Sequence, residues 1–417
     1  MIIPNILKNR NYSVILFLIL YISLLAGFFF NENATGGAIG DYGVKRLLIV
    51  NFSENFIETL LNFDQFEDRH TPVMTMYFSI FEKLKINETV VRFFHLHIAL
   101  LVVFAFYKTL KLKYYTIDNR FLYCFALILL LSPTIRSTTI WPDSRTYGLL
   151  FFILSVFFFI KFQIQDEFKY AIYNTIILSI SSYISLNFAV FSLFFFLSYL
   201  RKFGIGNKIA LLFLLNVFLA LPAFYYLFVL DVFFITTGIA VVEDLTFLQT
   251  INPANKIILI SSIFLFHMIP FFAIKEIRSN YAPLLLNKNL ILISFFVLIP
   301  SIFFFSYQAS YTGGGIFFHV SNLFFENNLL IYFIGFFSIL ILAIISRKNF
   351  DNFLLLLILL MSNPQLTIYH KYYDPLIWTL LLLLFNLKFK AENIFNFKII
   401  SFFYIFSIFF LSLNYLK

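Results

Sequence analysis

Four polar clusters interrupt a chain otherwise rich in Leu, Phe and Ile, and each holds residue types able to do chemistry. In the first, Gly36-Gly37-Ala38-Ile39-Gly40-Asp41-Tyr42-Gly43, a carboxylate sits in a glycine-rich stretch where backbone can turn closely around a ligand. Asp41 suits a general base; the plainer account is a solvated loop acid. The second, Glu67-Asp68-Arg69-His70-Thr71-Pro72, leads into an apolar decapeptide at 73–82. Pro72 suits the first turn of a helix there, and Thr71 or Asp68 could cap it. In the functional account, Arg69 and His70 meet a lipid phosphate at the membrane surface. The third, 132–145, carries Ser132, Pro133, Arg136, Trp141, Pro142, Asp143 and Arg145. Asp143 and Arg145 could simply pair. Alternatively Asp143 faces Asp41 across a cleft, and Arg145 or Arg136 offers a guanidinium to a phosphate. The fourth, 363–375, gathers Tyr369, His370, Lys371, Tyr372, Tyr373 and Asp374 between Leu-rich stretches. His370 and Lys371 suit a phosphate clamp and Tyr372 a sugar face, against the plain reading of an interfacial anchor belt.

Fainter signals surround these. Tyr311-Thr312-Gly313-Gly314-Gly315, with His319 beyond it, suits anion binding by backbone amides. No phosphate-loop, HExxH, GxSxG or paired-cysteine zinc motif occurs. Cys124 stands alone, and His95 and His97, two residues apart, do not share a helical face.

The elements that must position these residues are set by composition. The 417 residues are 61% hydrophobic and 12% charged, about half the charge of an ordinary globular protein. That excludes a soluble enzyme, a disulfide scaffold and a disordered chain, and it predicts an all-α, polytopic transmembrane helical bundle. Twelve to thirteen spans can be drawn, at about 13–30, 91–107, 121–139, 146–162, 209–230, 257–274, 289–306, 329–346, 350–367, 374–387 and 399–415. The stretch 170–200, interrupted by Ser181, Ser182, Ser185 and Asn187, reads as two short helices. Residues 73–82 are too few to span and suit an interfacial helix within an outer first loop, 31–90. With that choice, the side holding the N-terminus carries 19 Lys/Arg against 6 Asp/Glu, and the other side 11 against 15. The positive-inside rule then predicts a cytoplasmic N-terminus and outward-facing clusters. No internal repeat and no inverted pair of broken helices stands out. The chain reads as one transmembrane domain, 1–417, with the candidate chemistry concentrated in 1–200 and less of it in 201–417.

The order of features has a counterpart. A first span leads to an acid-bearing outer loop (Asp41), then to His70-Thr71-Pro72-Val73, then to Asn87-Glu88-Thr89-Val90-Val91-Arg92 at the entry to a second span. A basic inner loop follows, then Leu131-Ser132-Pro133, an Asp/Arg pair in Trp141–Arg145, and the short helix pair at 170–200. Over about residues 10–200 this resembles the integral-membrane glycosyltransferases of the C superfamily (GT-C), particularly bacterial members related to protein O-mannosyltransferases and lipid A aminoarabinose transferases. The resemblance implies that Asp41 is the first-loop catalytic acid or base and Asp143 the second acidic position, with His70 and Arg145 matching loosely. Departures are plain. Tyr42 follows Asp41 where the family usually has an Asp-Glu pair, His-Thr-Pro replaces His-Pro-Pro, and residues 201–417 match no family motif.

What the resemblance implies is transfer of a sugar, with inversion, from a polyprenyl-phosphate-linked donor to a glycan, lipid or protein acceptor on the outer face of a bacterial inner membrane. Asp41 and Asp143 are the expected catalytic residues. Arg69, His70, Arg145, His370, Lys371 and Tyr372 are the expected contacts to lipid phosphate or sugar. A divalent cation is compatible with the outer acids, but no metal-ligand set is legible. The expected partners are membrane lipids, the donor and the acceptor, and not nucleic acid. Two alternatives are an O-antigen or capsule polymerase or ligase, and a lipid or polysaccharide transporter or flippase. The first is disfavoured because the loop 307–328 lacks Arg, the second because the spans are mostly uninterrupted.

Overall fold

Apolar runs of Leu, Phe and Ile fold into helices whose ends are closed by short polar side chains. Asn87 Oδ1 accepts from the Thr89 amide (2.8 Å), Ser132 Oγ from that of Ile135 (3.1 Å) and Asn349 Oδ1 from that of Asn352 (3.0 Å). Such caps satisfy helix-end donors that neither lipid nor a packed core can solvate. The structure is a computed structural model and describes residues 11–66, 68, 70–230, 252–308, 313–363 and 365–415. Among these it is helical, with no strand.

Two compact units are formed. The first takes residues 1–61, 72–185 and 391–417. Its helices are α1 (Asn11–Phe29), α2 (Ala38–Glu54), α3 (Phe56–Leu61), α4 (Val73–Lys83), α5 (Glu88–Leu96), α6 (Ile98–Lys113), α7 (Asn119–Leu127), α8 (Pro133–Ile140), α9 (Ser144–Gln165) and α10 (Phe168–Ile184). The second unit takes 62–71 and 186–390. It holds α11 (Phe191–Phe203), α12 (Asn207–Phe228), α13 (Pro253–Met268), α14 (Lys275–Tyr281), α15 (Lys288–Phe303), α16 (Gly315–Phe325), α17 (Leu329–Ser346), α18 (Phe350–Met361) and α19 (Leu376–Leu383). The chain then returns to the first unit through α20 (Ala391–Ile394) and α21 (Phe397–Tyr415).

Polar bonds pin the apolar packing. In the first unit, Asn174 of α10 donates to the Ser155 carbonyl of α9 (2.8 Å), and Ser181 to that of Gly148 (2.8 Å). The last helix is held by the Tyr404 hydroxyl donating to the Cys124 carbonyl (2.7 Å) and by the Phe125 and Phe403 rings, 4.9 Å apart. In the second unit α13 is buried over most of its length, and Trp378 Nε1 of α19 donates to the His267 carbonyl (2.8 Å).

Among the described residues, eight helices are long and apolar enough to cross a membrane, or up to ten if each of two bent pairs is one span. These helices suggest an integral membrane protein. The bent pairs are Asn119–Leu131 with Pro133–Ile140, at 64°, and Lys275–Leu286 with Lys288–Phe303, at 77°. Among the described residues that is fewer than the 12 to 13 spans expected. The stretch 350–367 stops at Met361, where Asn363 folds the chain back by donating to the Thr367 carbonyl (3.0 Å). The stretch 374–387 holds only the eight residues of α19. The pair expected at 170–200 is present as α10 and α11, and the short helix at 73–82 as α4.

The stretch 31–90, expected as one long loop, is mostly helix among its described residues. Asp41 lies in the first turn of α2, where a glycine-rich loop was expected. Asn33 Oδ1 accepts from the Ala38 amide (3.0 Å) and starts the helix. Ala38, Tyr42, Lys45, Ile49 and Phe52 then fall on one buried face. That burial outweighs the roughly 1 kcal/mol each that Gly40 and Gly43 cost inside a helix.

A buried ion pair sits behind α1. Arg136 Nε and Nη2 donate to Glu32 Oε1 (2.6 Å) and Oε2 (2.5 Å), and Nη2 also donates to the Ser23 carbonyl (2.9 Å). Gly27 makes room for it, because a Cβ there would lie 2.2 Å from Glu32 Oε2 and 2.9 Å from Arg136 Nη2. Both groups are held by the fork, so neither can swing away. Gly27→Ala is therefore expected to destabilise the protein by about 3 kcal/mol, as breaking a buried pair does. Thermal unfolding in detergent would check this, with Gly40→Ala, which meets nothing within 4 Å, as the control expected to be neutral or stabilising.

Candidate functional site

The start of α2 and the start of α9 meet at one charged cluster. Asp143 N-caps α9, Oδ1 accepting from the Arg145 amide at 2.8 Å. Its Oδ2 accepts from Arg145 Nη1 (3.1 Å) and from Lys45 Nζ (3.3 Å). The same Arg145 Nη1 lies 3.8 Å from Asp41 Oδ2. Lys45 follows Asp41 by four residues, so α2 delivers both from one face. Side-chain exposure is graded: 5% for Asp143, 8% for Lys45, 12% for Arg145 and 39% for Asp41. Asp143 is thus a buried anchor for two cations, and Asp41 is the carboxylate that solvent reaches. The plainer expectation, Asp143 paired with Arg145, is what the structure shows, and the same guanidinium nitrogen also approaches Asp41.

A shell of aromatic and polar groups fixes the segment that carries Asp143. Arg92 of α5 stacks on Trp141, 3.5 Å from its ring centre, and Nε donates to the Ile140 carbonyl (3.2 Å). One turn later His95 Nε2 bonds the Thr138 carbonyl (2.9 Å). A carbonyl only accepts, so this nitrogen carries the proton. Trp141 Nε1 donates to the Glu32 carbonyl (3.0 Å), which links the site to the buried Glu32–Arg136 pair. Arg136 is committed there, which leaves Arg145 as the guanidinium of the cluster. Tyr42 packs against Trp141 and joins a core with Ile49, Met74, Phe78 and Ile184. Burial, and then Glu88, push the Tyr42 hydroxyl up to about 12, so it stays protonated at any ordinary pH.

The other expected residues belong to the second unit. His70 bonds Asp68 Oδ1 through both its amide (2.8 Å) and Nδ1 (2.9 Å). Asp68 therefore does not cap α4; Pro72 occupies the cap position, and its carbonyl accepts from Thr75 Oγ1 (2.8 Å). Arg69 lies outside the described residues. His370 Nε2 bonds His267 Nε2 (2.9 Å), Lys371 lies 4.8 Å from the Tyr369 ring centre, and the Tyr372 hydroxyl donates to Gln365 Oε1 (3.3 Å). The turn at 313–315 packs on this loop, the Gly314 amide donating to the Ile368 carbonyl (2.7 Å). Gly313 has φ +100°, and a Cβ on it would lie 2.5 Å from the Ile368 oxygen. Tyr311 and Thr312 lie outside the described residues.

Sequence reasoning missed Lys45 and His267. Read as a loop, the Asp41–Lys45 spacing carried no meaning. His267 sits in an apolar run, 103 residues from its partner. Among the described residues no three His, Cys, Asp or Glu side chains gather to hold a metal ion.

The cluster makes a prediction about coupling. Asp143→Asn keeps a capping oxygen but leaves Lys45 and Arg145 without their buried counter-charge, at a cost of about 3–5 kcal/mol. Lys45→Met in the same background is expected to recover part of that loss, so the double variant falls well short of the sum of the singles. Thermal unfolding of the four proteins reads the cycle, and additivity would show the two groups to be uncoupled. No protein-family model matches the chain, and neither a curated protein nor a solved structure matches it.

Proposed function

We propose that the chain is a membrane glycosyltransferase of the GT-C kind. In this reading it moves a sugar, with inversion, from a polyprenyl-phosphate-linked donor to a glycan, lipid or protein acceptor on the outer face of a bacterial inner membrane, its N-terminus cytoplasmic. The observation that carries the reading is Arg145 reaching a buried Asp143 and a solvent-accessible Asp41 at once. Asp41 takes the proton of the acceptor hydroxyl as its oxygen attacks the anomeric carbon. The bond from that carbon to the phosphate oxygen breaks, and its electron pair leaves with the lipid phosphate. Arg145 meets the growing negative charge, and Asp143 holds Arg145 and Lys45 ready for it.

One observation favours a second reading. The two bent pairs of apolar helices are the kind of interruption that transporters use around a substrate. In that reading lipid-linked sugars cross the membrane intact.

The test uses the full chain in nanodiscs with a polyprenyl-phosphate-linked sugar and a membrane extract as acceptor source, and measures release of polyprenyl phosphate. Asp41→Asn is expected to lower turnover at least about 100-fold with little change in stability. Full activity in that variant would remove Asp41 from the mechanism. Movement of the donor between vesicle leaflets without cleavage would support the transporter reading instead.

A further inference from the structure

Basic segments far apart in sequence are tied together within the second unit. Arg201 of α11 pairs with Asp351 of α18. The next residue, Asn352, donates to the carbonyls of Ile345 (2.9 Å) and Asn386 (3.2 Å), and the Asn386 amide donates back to Asn352 Oδ1 (2.8 Å). Along the same stretch the Lys388 carbonyl accepts from Asn280 Nδ2 (3.1 Å), and the Lys390 amide donates to Glu276 Oε2 (2.6 Å). The turn between α17 and α18, the stretch after α19 and the helix α14 thus form one hydrogen-bonded platform.

Its charge is one-sided. Lys275, Arg278, Lys288, Arg347, Lys388 and Lys390 are all exposed, whereas Glu276 and Asp351 are engaged within the platform. The platform is also amphipathic. Ile274, Ile277 and Tyr281 are buried, while Leu286 is 83% exposed beside the cations. The segment 275–286 is bent by 77° from the apolar helix at 288–303 that it leads into. A cationic segment running across the end of a membrane-length apolar helix, with an uncovered leucine, has the character of an interfacial element.

We infer that this platform binds the phosphate headgroups of anionic phospholipid in the surrounding bilayer. Six exposed cations supply the charge complementarity, and Leu286 has acyl chains to enter, which a soluble acidic partner does not offer. Each Lys or Arg close to an anionic surface strengthens such binding several-fold, and salt weakens it.

The experiment is native mass spectrometry of the full chain titrated with phosphatidylglycerol and phosphatidylcholine. At low salt phosphatidylglycerol is expected to be retained at least about tenfold better, with the preference shrinking as ionic strength rises. Combining Lys275→Gln, Arg278→Gln, Lys388→Gln and Lys390→Gln is expected to bring the two lipids close to parity, whereas Lys→Arg at the three lysines keeps the preference. Equal retention by the parent, or an undiminished preference in the glutamine variant, overturns the inference. Should the glutamine variant fail to fold, the parent's salt series decides, and a preference that salt does not move overturns it. Tighter capture of an acidic peptide or oligonucleotide than of phosphatidylglycerol would likewise assign the platform to another partner.

Discussion

A single carboxylate, that of Asp143, closes the end of one helix and pairs with two cations, the buried Lys45 and the half-buried Arg145. Its Oδ1 caps α9, while its Oδ2 takes Arg145 and Lys45. Taking a carboxylate out of water costs several kcal/mol unless its oxygens are paired and hydrogen-bonded, and here a helix amide, a guanidinium and an ammonium supply the donors. The arrangement fixes α2 against α9, because Lys45 must leave α2 exactly where Asp143 begins α9. It also fixes Arg145, whose Nη1 lies 3.8 Å from the Asp41 carboxylate. Without that carboxylate the other three charges of the cluster would have no common geometry.

The same constraint recurs one layer further in. The Glu32–Arg136 fork is buried and fully bonded, and Gly27 leaves it the space of a missing Cβ. Trp141 connects the two layers, its indole N–H on the Glu32 carbonyl and its face under the Arg92 guanidinium. Paired buried charges of this kind contribute little net stability, but a mispacked alternative would leave one of them unpaired. They therefore favour a single packing of helices whose Leu and Phe surfaces would otherwise slide. The exposed member, Asp41, is the one whose environment permits a change of protonation or partner, which is why the proposed chemistry is assigned to it.

The elements themselves were largely legible. Helices at the first span, at 73–82 and at 170–200 follow from apolar runs and their interruptions, and the polar cluster at 132–145 was recognisable by its prolines and charges. The misreadings have one physical origin. Gly36–Gly43 reads as a loop because glycine lowers helix propensity, yet α2 forms since its buried face outweighs that local cost. The stretches 350–367 and 374–387 read as spans on composition alone, and they are shortened by Asn363 turning the backbone and by the loop around His370. Lys45 was invisible for the first reason, since its relation to Asp41 exists only on a helix.

What the sequence determined by itself is an all-helical protein with too little charge to cover a soluble surface. Run length, charge scarcity and capping residues are local properties, and each acts within a few residues of where it is written. Only the tertiary structure decided which charges meet. Lys45 finds Asp143 across 98 residues, Glu32 finds Arg136 across 104, and the Lys388 stretch finds Asn280 across 108. The physical reason is that a buried charge is stable only beside its partner, and no local pattern records how distant segments pack to bring that partner within hydrogen-bonding distance.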